Sequence, residues 1–281
     1  MNVLDLFSGI GGFSLGLERA GMRTVAFCEI EPFCRRVLAK HWPGVPIYED
    51  VRELTADRLR ADGIAVDVIC GGFPCQDISV AGPRIGIEGE RSGLWTEYAR
   101  LIREVRPRYV IVENVSALLN RGLDRVLGDL AALGFDAEWH CIPASAVGAN
   151  HIRDRFWLVA YPYGWWAHEE PQRVRECEDS IHAGRHGAAR KVADAHSGDG
   201  HGRGGSLQMG WGWRAREIAA DGVTGGIEWS TEPDVGRVAH GVPARVDRLR
   251  SLGNAVVPQI PEIIGRAIMN SVNSSPEKSI G

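Results

Sequence analysis

The 281-residue sequence has no apolar run near the ~18 residues that a membrane-spanning helix needs. Its start, MNVLDLFSGIGG, lacks the basic residues and long apolar stretch of a secretory signal peptide. We therefore expect a soluble, cytoplasmic protein with no membrane partner. With 44% hydrophobic, 24% charged and 7% aromatic residues, the composition excludes a collagen, a disordered chain and a bare coiled coil. The length predicts one large domain, alone or with a smaller one.

Cysteine pairs and a strong net charge are also absent. The six cysteines do not suit a disulfide scaffold, and no C-x-x-C pair typical of a zinc site occurs. Cys177, with His182, His186, His196 and His201, lies in a Gly- and Asp-rich stretch typical of a surface loop, so we predict no metal. The formal charge of −4 argues against a general polyanion binder, although a local basic face suffices for phosphate contacts.

Up to residue 160, short apolar runs alternate with amphipathic segments. This alternation predicts a mainly parallel sheet covered by helices on both faces, with ligands at the carboxyl ends of the strands. The predicted strands span residues 3–7, 24–28, 66–70, 109–112 and 156–160, with a further short one in PIYEDV. The predicted helices span residues 32–42, 94–105, 123–133 and 258–269.

The composition changes after Tyr161. Residues 162–244 are rich in Gly, His, Arg and Asp and poor in aliphatic runs, yet five of the nine tryptophans lie there. We predict a small irregular domain over residues 162–244, inserted into a catalytic domain formed by residues 1–161 and 245–270. A disordered tail is expected over residues 271–281.

A glycine-rich turn, DLFSGIGG, follows the first predicted strand and precedes a helix. Its glycines allow a ligand to approach the backbone and the first N–H groups of that helix. The G-x-G-G spacing differs from the dinucleotide-binding G-x-G-x-x-G, which disfavours a nicotinamide dehydrogenase. Glu29, after the second strand, could accept hydrogen bonds from a ribose, and Asp50 could hold the amino group of an adenine. Together these features favour an adenosine ligand over a plain turn and two surface carboxylates.

Cys75 lies in GGFPCQDISVAG, a glycine-flanked loop that is a poor place for a buried thiol. A loop backbone and nearby positive charge lower the pKa of a thiol and favour the thiolate. We therefore interpret Cys75 as a nucleophile and the following glycine-rich stretch, up to Gly93, as a mobile lid. The other five cysteines lie in apolar or helical contexts and are expected to pack.

Glu113 ends the apolar run RYVIVEN, where burial of a carboxylate is costly unless it is paired or functional. Arg153 and Arg155 in HIRDR occupy alternate positions of a predicted strand, so we expect both guanidinium groups at one site. The alternative is a structural ion pair between Glu113 and one arginine.

Near the C-terminus, Arg245, Arg248 and Arg250 precede a predicted turn at Gly253 and Asn254. The turn could contact a ligand and the arginines could contact phosphates. A solvated helix face followed by an ordinary turn is the competing interpretation.

The order DLFSGIGG, Glu29, Asp50, GGFPCQ, ENV, HIRDR and LGNAVVP resembles that of the Dcm-like DNA cytosine-5 methyltransferases. The resemblance covers about residues 1–160 and 245–270. It implies the α/β fold of S-adenosylmethionine-dependent methyltransferases, a Rossmann-like mixed sheet with helices on both faces, plus a small irregular target-recognition domain. The segment WSTEPDVGRVAHGVPARVDRL is similar to versions in phage and prophage methyltransferases.

The resemblance also implies a role for each motif residue. Cys75 would attack carbon 6 of a cytosine flipped out of double-stranded DNA, and carbon 5 would receive the methyl group. The other catalytic residues would be Glu113, Arg153 and Arg155. S-adenosylmethionine would be bound by Phe7, Gly9, Gly11, Gly12, Glu29, Ile30, Asp50, Val51, Pro74, Leu94, Asn254 and Ala255. DNA would be contacted by Gln76, Ser79, Arg84, Arg245 and Arg248.

Asn150 and His151 stand where this family often has Pro-Gln, which changes the packing before Arg153. A tRNA cytosine-5 methyltransferase is the alternative within the chemistry, and Gln76 and the long insert before Arg245 disfavour it. A non-catalytic DNA-binding relative is disfavoured by the retention of the motif residues. We expect a monomer without an obligate protein partner, and a cognate restriction endonuclease is the partner that the resemblance leaves open.

Overall fold

The computed structural model describes residues 1–74, 93–164 and 245–274. In these ranges seven strands form one sheet in the order β3-β2-β1-β4-β5-β7-β6. The strands are β1 (Asn2–Leu6), β2 (Arg23–Cys28), β3 (Ile47–Tyr48), β4 (Val68–Gly71), β5 (Tyr109–Val115), β6 (Phe135–Pro143) and β7 (Asp154–Pro162). The helices are α1 (Gly12–Arg19), α2 (Pro32–His41), α3 (Ala56–Ala61), α4 (Leu94–Val105), α5 (Leu123–Ala132), α6 (Arg245–Asn254) and α7 (Gln259–Ser274). Short 3₁₀ turns lie at Ser116–Asn120 and Ala144–Val147.

The sheet is mixed, as predicted. Strands β3, β2, β1, β4 and β5 run parallel to one another, whereas β7 pairs antiparallel with both β5 and β6. Each of the six predicted strands overlaps an observed strand, and each of the four predicted helices overlaps an observed helix.

Strand β6 was not predicted. Its sequence, FDAEWHCIP, interrupts the apolar residues with Asp, Glu and His, and most of its side chains are exposed or half-buried. It pairs with β7 along its whole length, from Phe135 opposite Pro162 to Pro143 opposite Asp154. Since it is the last strand of the sheet in the described residues, it forms by backbone pairing without the apolar alternation that marks a half-buried strand.

Helices cover both faces of the sheet because side chains alternate along each strand. In β1, Leu4 and Leu6 face one hydrophobic cluster, which α4 and α5 close, and Val3 faces a second cluster, which α1 and α7 close. The α4 side carries the fully buried aromatic residues Trp95 and Tyr98. The prediction of a sheet covered on both faces is therefore confirmed.

Helices α1 and α7 approach each other closely at glycines. A Cβ atom on Gly16 would lie 2.2 Å from the carbonyl oxygen of Pro258 and 2.7 Å from Cγ of Pro261. A Cβ atom on Gly265 would lie 2.8 Å from Cβ of Ala20. The C-terminal segment thus packs directly on the helix that follows the glycine-rich turn.

The end of the last helix differs from the prediction. The sequence places this end at residue 269 and a disordered tail from residue 271, but α7 continues to Ser274. Ser271 is buried with its hydroxyl donating to the carbonyl of Ile268 (2.8 Å), and Val272 packs against the second cluster, so these residues extend the helix. Residues 165–244 and 275–281, with the predicted irregular domain and the rest of the tail, lie outside the described residues.

No helix in the described ranges has both the length and the apolar character required to cross a membrane.

Gly16→Ala is expected to destabilise the protein by ~1–3 kcal/mol, because its methyl group would overlap the backbone before α7. Gly128→Ala in α5 is the matched control, since a Cβ atom there meets nothing within 4 Å. It should be stabilising by ~0.5–1 kcal/mol, through helix propensity alone. Urea unfolding measures both, and equal effects of the two substitutions would contradict the close packing of α1 on α7.

Candidate active site

Several of the predicted site residues lie at one edge of the sheet. The carboxyl ends of β1, β2, β4 and β5 lie there because these strands are parallel and adjacent. Residues 7–12 follow β1, Glu29 follows β2, residues 72–74 follow β4, and Glu113 lies near the end of β5. The topology therefore brings together motifs that lie up to a hundred residues apart in the sequence.

The glycine-rich turn after β1 requires unusual backbone angles. Phe7, Gly9 and Gly11 have φ values of 52°, 53° and 86°, a region that glycine adopts without steric cost. The N–H of Ser8 donates to the carbonyl of Cys28 (3.2 Å), which joins the turn to the end of β2. A Cβ atom on Gly11 would lie 2.6 Å from the ring of Trp42, so no larger residue fits there without a shift.

Glu29 links this turn to the one after β2. Its Oε2 accepts a hydrogen bond from the N–H of Gly9 (2.6 Å), and its Oε1 accepts one from the N–H of Glu31 (2.8 Å). Burial raises the pKa of the Glu29 carboxyl above its usual value. The next residue, Ile30, leaves 58% of its surface exposed, so a large apolar side chain faces solvent beside a buried carboxylate.

Other predicted cofactor residues occupy the same edge in different environments. Asp50 accepts hydrogen bonds from Arg52, and these lower the pKa of the Asp50 carboxyl. Val51 is buried in the first hydrophobic cluster, and its carbonyl accepts a hydrogen bond from Arg100 (2.9 Å). Phe7 and Leu94 pack against the same cluster, and Phe7 stacks on Tyr98 with 6.3 Å between ring centroids. Gly12 begins α1, and Ala255 follows α6.

Residues 72–74 are hydrogen-bonded to the end of β5. The side-chain amide of Asn114, itself buried, donates to the carbonyl of Phe73 (3.2 Å). A Cβ atom on Gly72 would lie 2.7 Å from Oε2 of Glu113, so glycine leaves the room that this carboxylate occupies. Pro74 is the last described residue of the segment. Cys75, with the predicted DNA contacts Gln76, Ser79 and Arg84, lies outside the described residues.

Glu113 forms an ion pair with Arg155 across the antiparallel strands β5 and β7. Nε of Arg155 lies 3.1 Å from Oε1 of Glu113, whose side chain is only 14% exposed. Burial raises the pKa of Glu113 to about 7, although the positive charges of Arg155 and Arg153 act to lower it. The group therefore changes charge close to neutral pH.

Arg153 contradicts the argument from strand alternation. It precedes β7, has a positive φ of 32°, and turns its guanidinium group toward the end of α6. There it donates to the carbonyls of Gly253 (2.8 Å) and Ala255 (2.9 Å). Of the two arginines, Arg155 forms the ion pair with Glu113, and Arg153 instead connects the segment before β7 to the C-terminal part of the chain.

The predicted turn at Gly253 and Asn254 is the C-terminal end of α6. Helix formation continues through RVDRLRSL, and a glycine and an asparagine suit the last positions of a helix. Arg250 lies 3.3 Å from a carboxylate oxygen of Glu31, and Cys34 contacts Ser251 at 3.4 Å, which places α6 beside the start of α2. Arg248 is exposed on α6; the side chain of Arg245, the first residue of the helix, lies outside the described part.

Sequence reasoning missed Asp5 as an individual residue. Its carboxyl group is fully buried and lies under the glycine-rich turn, where Oδ2 accepts a hydrogen bond from the hydroxyl of Ser14 (2.7 Å). The available signal was a single acidic residue inside the apolar run NVLDL. Among the three described ranges, no group of three or more His, Cys, Asp or Glu side chains could hold a metal ion, and residues 177–201 lie outside them.

Comparison with known proteins agrees with this arrangement. Residues 1–190 match the sequence profile of the family described as C-5 cytosine-specific DNA methylase. The Type II methyltransferase M2.BsuMI of Bacillus subtilis is 36% identical over 187 residues, which cover 64% of this chain and 45% of that protein. M.Eco47II of Escherichia coli is 41% identical over 126 residues, which cover 44% of this chain and 30% of that protein. The chain thus spans less than half the length of either relative.

Two solved structures are similar in fold. A DNA modification methyltransferase encoded within an Escherichia coli prophage has a TM-score of 0.50 and 28% identity, over 58% of this chain and 47% of that one. The Dnmt2 methyltransferase of S. pombe has a TM-score of 0.59 over 97% of this chain and 99% of that one. Its identity is 16%, so it supports the fold alone.

The raised pKa of Glu113 predicts a pH dependence of stability. Because the folded state holds this proton more tightly than the unfolded state, the stability that the proton confers is present below about pH 4.5 and is lost as the pH rises to about 7. The unfolding free energy of the wild type should therefore fall relative to that of Glu113→Gln over this window, by at most ~1.4 kcal/mol per pH unit. Urea unfolding from pH 5 to 8 measures the difference, and a constant difference would contradict the titration of Glu113 in this range.

Proposed function

The chain belongs to the C-5 cytosine-specific DNA methylase family, and from that premise we propose that it methylates carbon 5 of cytosine in a short specific sequence of double-stranded DNA. The observation that carries this proposal is the junction between residues 72–74 and the ion pair of Glu113 with Arg155. Asn114 holds Phe73 against β5, and Cys75 is the next residue in the sequence after Pro74, so the proposal assigns its thiol to act together with the Glu113 carboxyl group.

The residues at the ends of β1 and β2 fit S-adenosylmethionine as the cofactor. Glu29 offers a buried carboxylate suited to ribose hydroxyls, and the exposed Ile30 offers an apolar surface for an adenine ring. The positive φ values of Gly9 and Gly11 allow a ligand to approach the backbone before α1. The cofactor, when bound, supplies an electrophilic methyl group. Phe7, Gly12, Asp50, Val51, Pro74, Leu94, Asn254 and Ala255 complete the proposed binding set.

The reaction requires activation of the base, because carbon 5 of cytosine is a weak nucleophile. In the proposed mechanism the thiolate of Cys75 adds to carbon 6, and the electron pair of the 5,6 double bond becomes available at carbon 5. After carbon 5 has taken the methyl group, it loses its proton. The electron pair of the broken C–H bond re-forms the 5,6 double bond, and the thiolate leaves carbon 6.

Glu113 and Arg155 are proposed to stabilise this adduct. With a pKa of about 7, the Glu113 carboxyl group is available in its protonated form and can donate a hydrogen bond to ring nitrogen 3. The Arg155 guanidinium group beside it suits the carbonyl oxygen at carbon 2. Arg153 is proposed to act indirectly. Its hydrogen bonds to the carbonyls of Gly253 and Ala255 would hold in place the segment that contains Asn254 and Ala255.

Access to carbon 6 requires that the base leaves the helical stack of the duplex. We assign Gln76, Ser79, Arg84, Arg245 and Arg248 to DNA contacts, and residues 162–244 to recognition of the target sequence. The proposal includes a monomer that acts in the cytoplasm, because one duplex and one site need only one copy of the chain. No obligate protein partner is proposed, and a cognate restriction endonuclease would be its counterpart in a restriction-modification system.

Cys75→Ala is expected to lower methyl transfer at least ~1,000-fold, because the covalent activation of carbon 6 is lost. The measurement is incorporation of tritiated methyl groups into long DNA of mixed sequence, followed by analysis of the nucleosides for 5-methylcytosine. Cys141→Ala is the matched control, since Cys141 is a half-buried thiol on β6, which is separated from β5 and Glu113 by strand β7, and its activity should remain within about twofold.

Near-normal activity of Cys75→Ala would overturn the covalent mechanism. If the wild-type protein labels tRNA but not DNA, the substrate is tRNA and the proposed DNA substrate is wrong. Label found in neither, despite binding of the cofactor, would contradict the proposed activity as a whole.

A further inference from the structure

Asp5 is a buried acidic group that the proposed mechanism does not use. It lies in β1, opposite Phe27 of β2 and Cys70 of β4, and its surface is 0% exposed. Its Oδ2 accepts a hydrogen bond from the hydroxyl of Ser14 (2.7 Å). Its Oδ1 is buried without a full-strength partner among the described residues, beside the Cys70 thiol, which is a weak donor. Burial of a carboxyl group costs folding free energy unless its oxygens are hydrogen-bonded, so its presence here calls for an explanation.

Ser14 is the third residue of α1, in the first turn of the helix. The residue that caps this helix, Gly11, has no side chain to accept a hydrogen bond from the free N–H groups there. The Asp5 carboxyl group accepts a hydrogen bond from the side chain of Ser14. Burial raises the pKa of this carboxyl group to about 7, and the side chain and backbone of Ser14 act to lower it. Asp5 therefore stabilises the first turn of α1 from β1, where Gly11 has no side chain to do so.

The same residue also fixes the beginning of the glycine-rich turn. The hydroxyl of Ser8 donates to the backbone carbonyl of Asp5 (2.6 Å). Asp5 thus holds Ser8 at one end of the turn through its backbone and Ser14 at the other end through its side chain. The segment between them includes Gly9 and Gly11, whose positive φ values give the turn its shape.

We propose that the hydrogen bond between Asp5 and Ser14 positions the glycine-rich turn for binding of S-adenosylmethionine, which makes both residues positioning residues for the cofactor. This inference rests on the proposed function. It goes beyond it by assigning part of the cofactor affinity to two buried side chains that lie beneath the turn. Loss of the bond is expected to free the start of α1 and the turn together, without disturbing the groups around Glu113.

A matched pair of serines separates this role from a general effect on stability. Ser14 and Ser271 are both buried in helices on the same side of the sheet, and the hydroxyl of each donates one hydrogen bond, to Asp5 and to the carbonyl of Ile268 respectively. Ser14→Ala and Ser271→Ala therefore remove the same atom from similar environments. Only the first substitution affects the turn.

The test is titration calorimetry of the full chain with S-adenosylmethionine, together with urea unfolding of each variant. Ser14→Ala is expected to bind about tenfold more weakly than the wild type, as loss of one buried hydrogen bond implies. Ser271→Ala should bind within about twofold of the wild type at a similar loss of stability. Asp5→Asn keeps a hydrogen-bond acceptor, removes the ionisable group and should give an intermediate affinity.

The kinetic counterpart is a rise in KM for the cofactor with Ser14→Ala and a kcat that stays within about twofold at saturating cofactor. Equal affinity of Ser14→Ala and the wild type would overturn the inference, and so would equal weakening by Ser14→Ala and Ser271→Ala. A wild type that binds no S-adenosylmethionine would overturn the proposed function itself, which distinguishes the two failures.

Discussion

The Glu113 carboxyl group is largely buried from solvent near the end of strand β5, and much of the site is arranged around it. Arg155 compensates its charge from β7, Gly72 leaves the space that its oxygens fill, and Asn114 fixes the neighbouring segment. Burial raises the pKa of Glu113 to about 7 against the opposing charges of Arg155 and Arg153, so the group can exchange a proton at neutral pH. The same contacts fix residues 72–74, and Cys75, the proposed nucleophile, follows them directly in the sequence.

The cofactor side of the site follows a similar principle, with backbone groups held by buried carboxylates. Glu29 accepts a hydrogen bond from the N–H of Gly9. Asp5 accepts one from Ser8 and one from Ser14, at the two ends of the turn that contains Gly9. Arg153 connects the two sides, because it lies two residues before Arg155 in the sequence and donates to the carbonyls of Gly253 and Ala255 at the end of α6. Helix α7 then returns to pack on α1 through Gly16 and Gly265.

The alternation of strands and helices and the position of the site could be predicted because glycine, proline and charged residues interrupt apolar runs at strand ends. Strand β6 could not, since pairing with β7 and not apolar patterning produces it. The direction of Arg153 depends on a positive φ that no residue pattern indicates. The role of Asp5 depends on contact with Ser14 across the turn. Cys75, the most specific prediction from the sequence, lies outside the described residues.

Cytosine-conversion sequencing of plasmid DNA from cells that express the wild type or Cys75→Ala tests the central claim most directly. We predict cytosines protected from conversion in one short sequence context, present with the wild type and absent with Cys75→Ala. Such a result would establish the reaction, the DNA substrate and the target sequence together. The absence of any protected cytosine, with soluble wild-type protein present, would contradict the account.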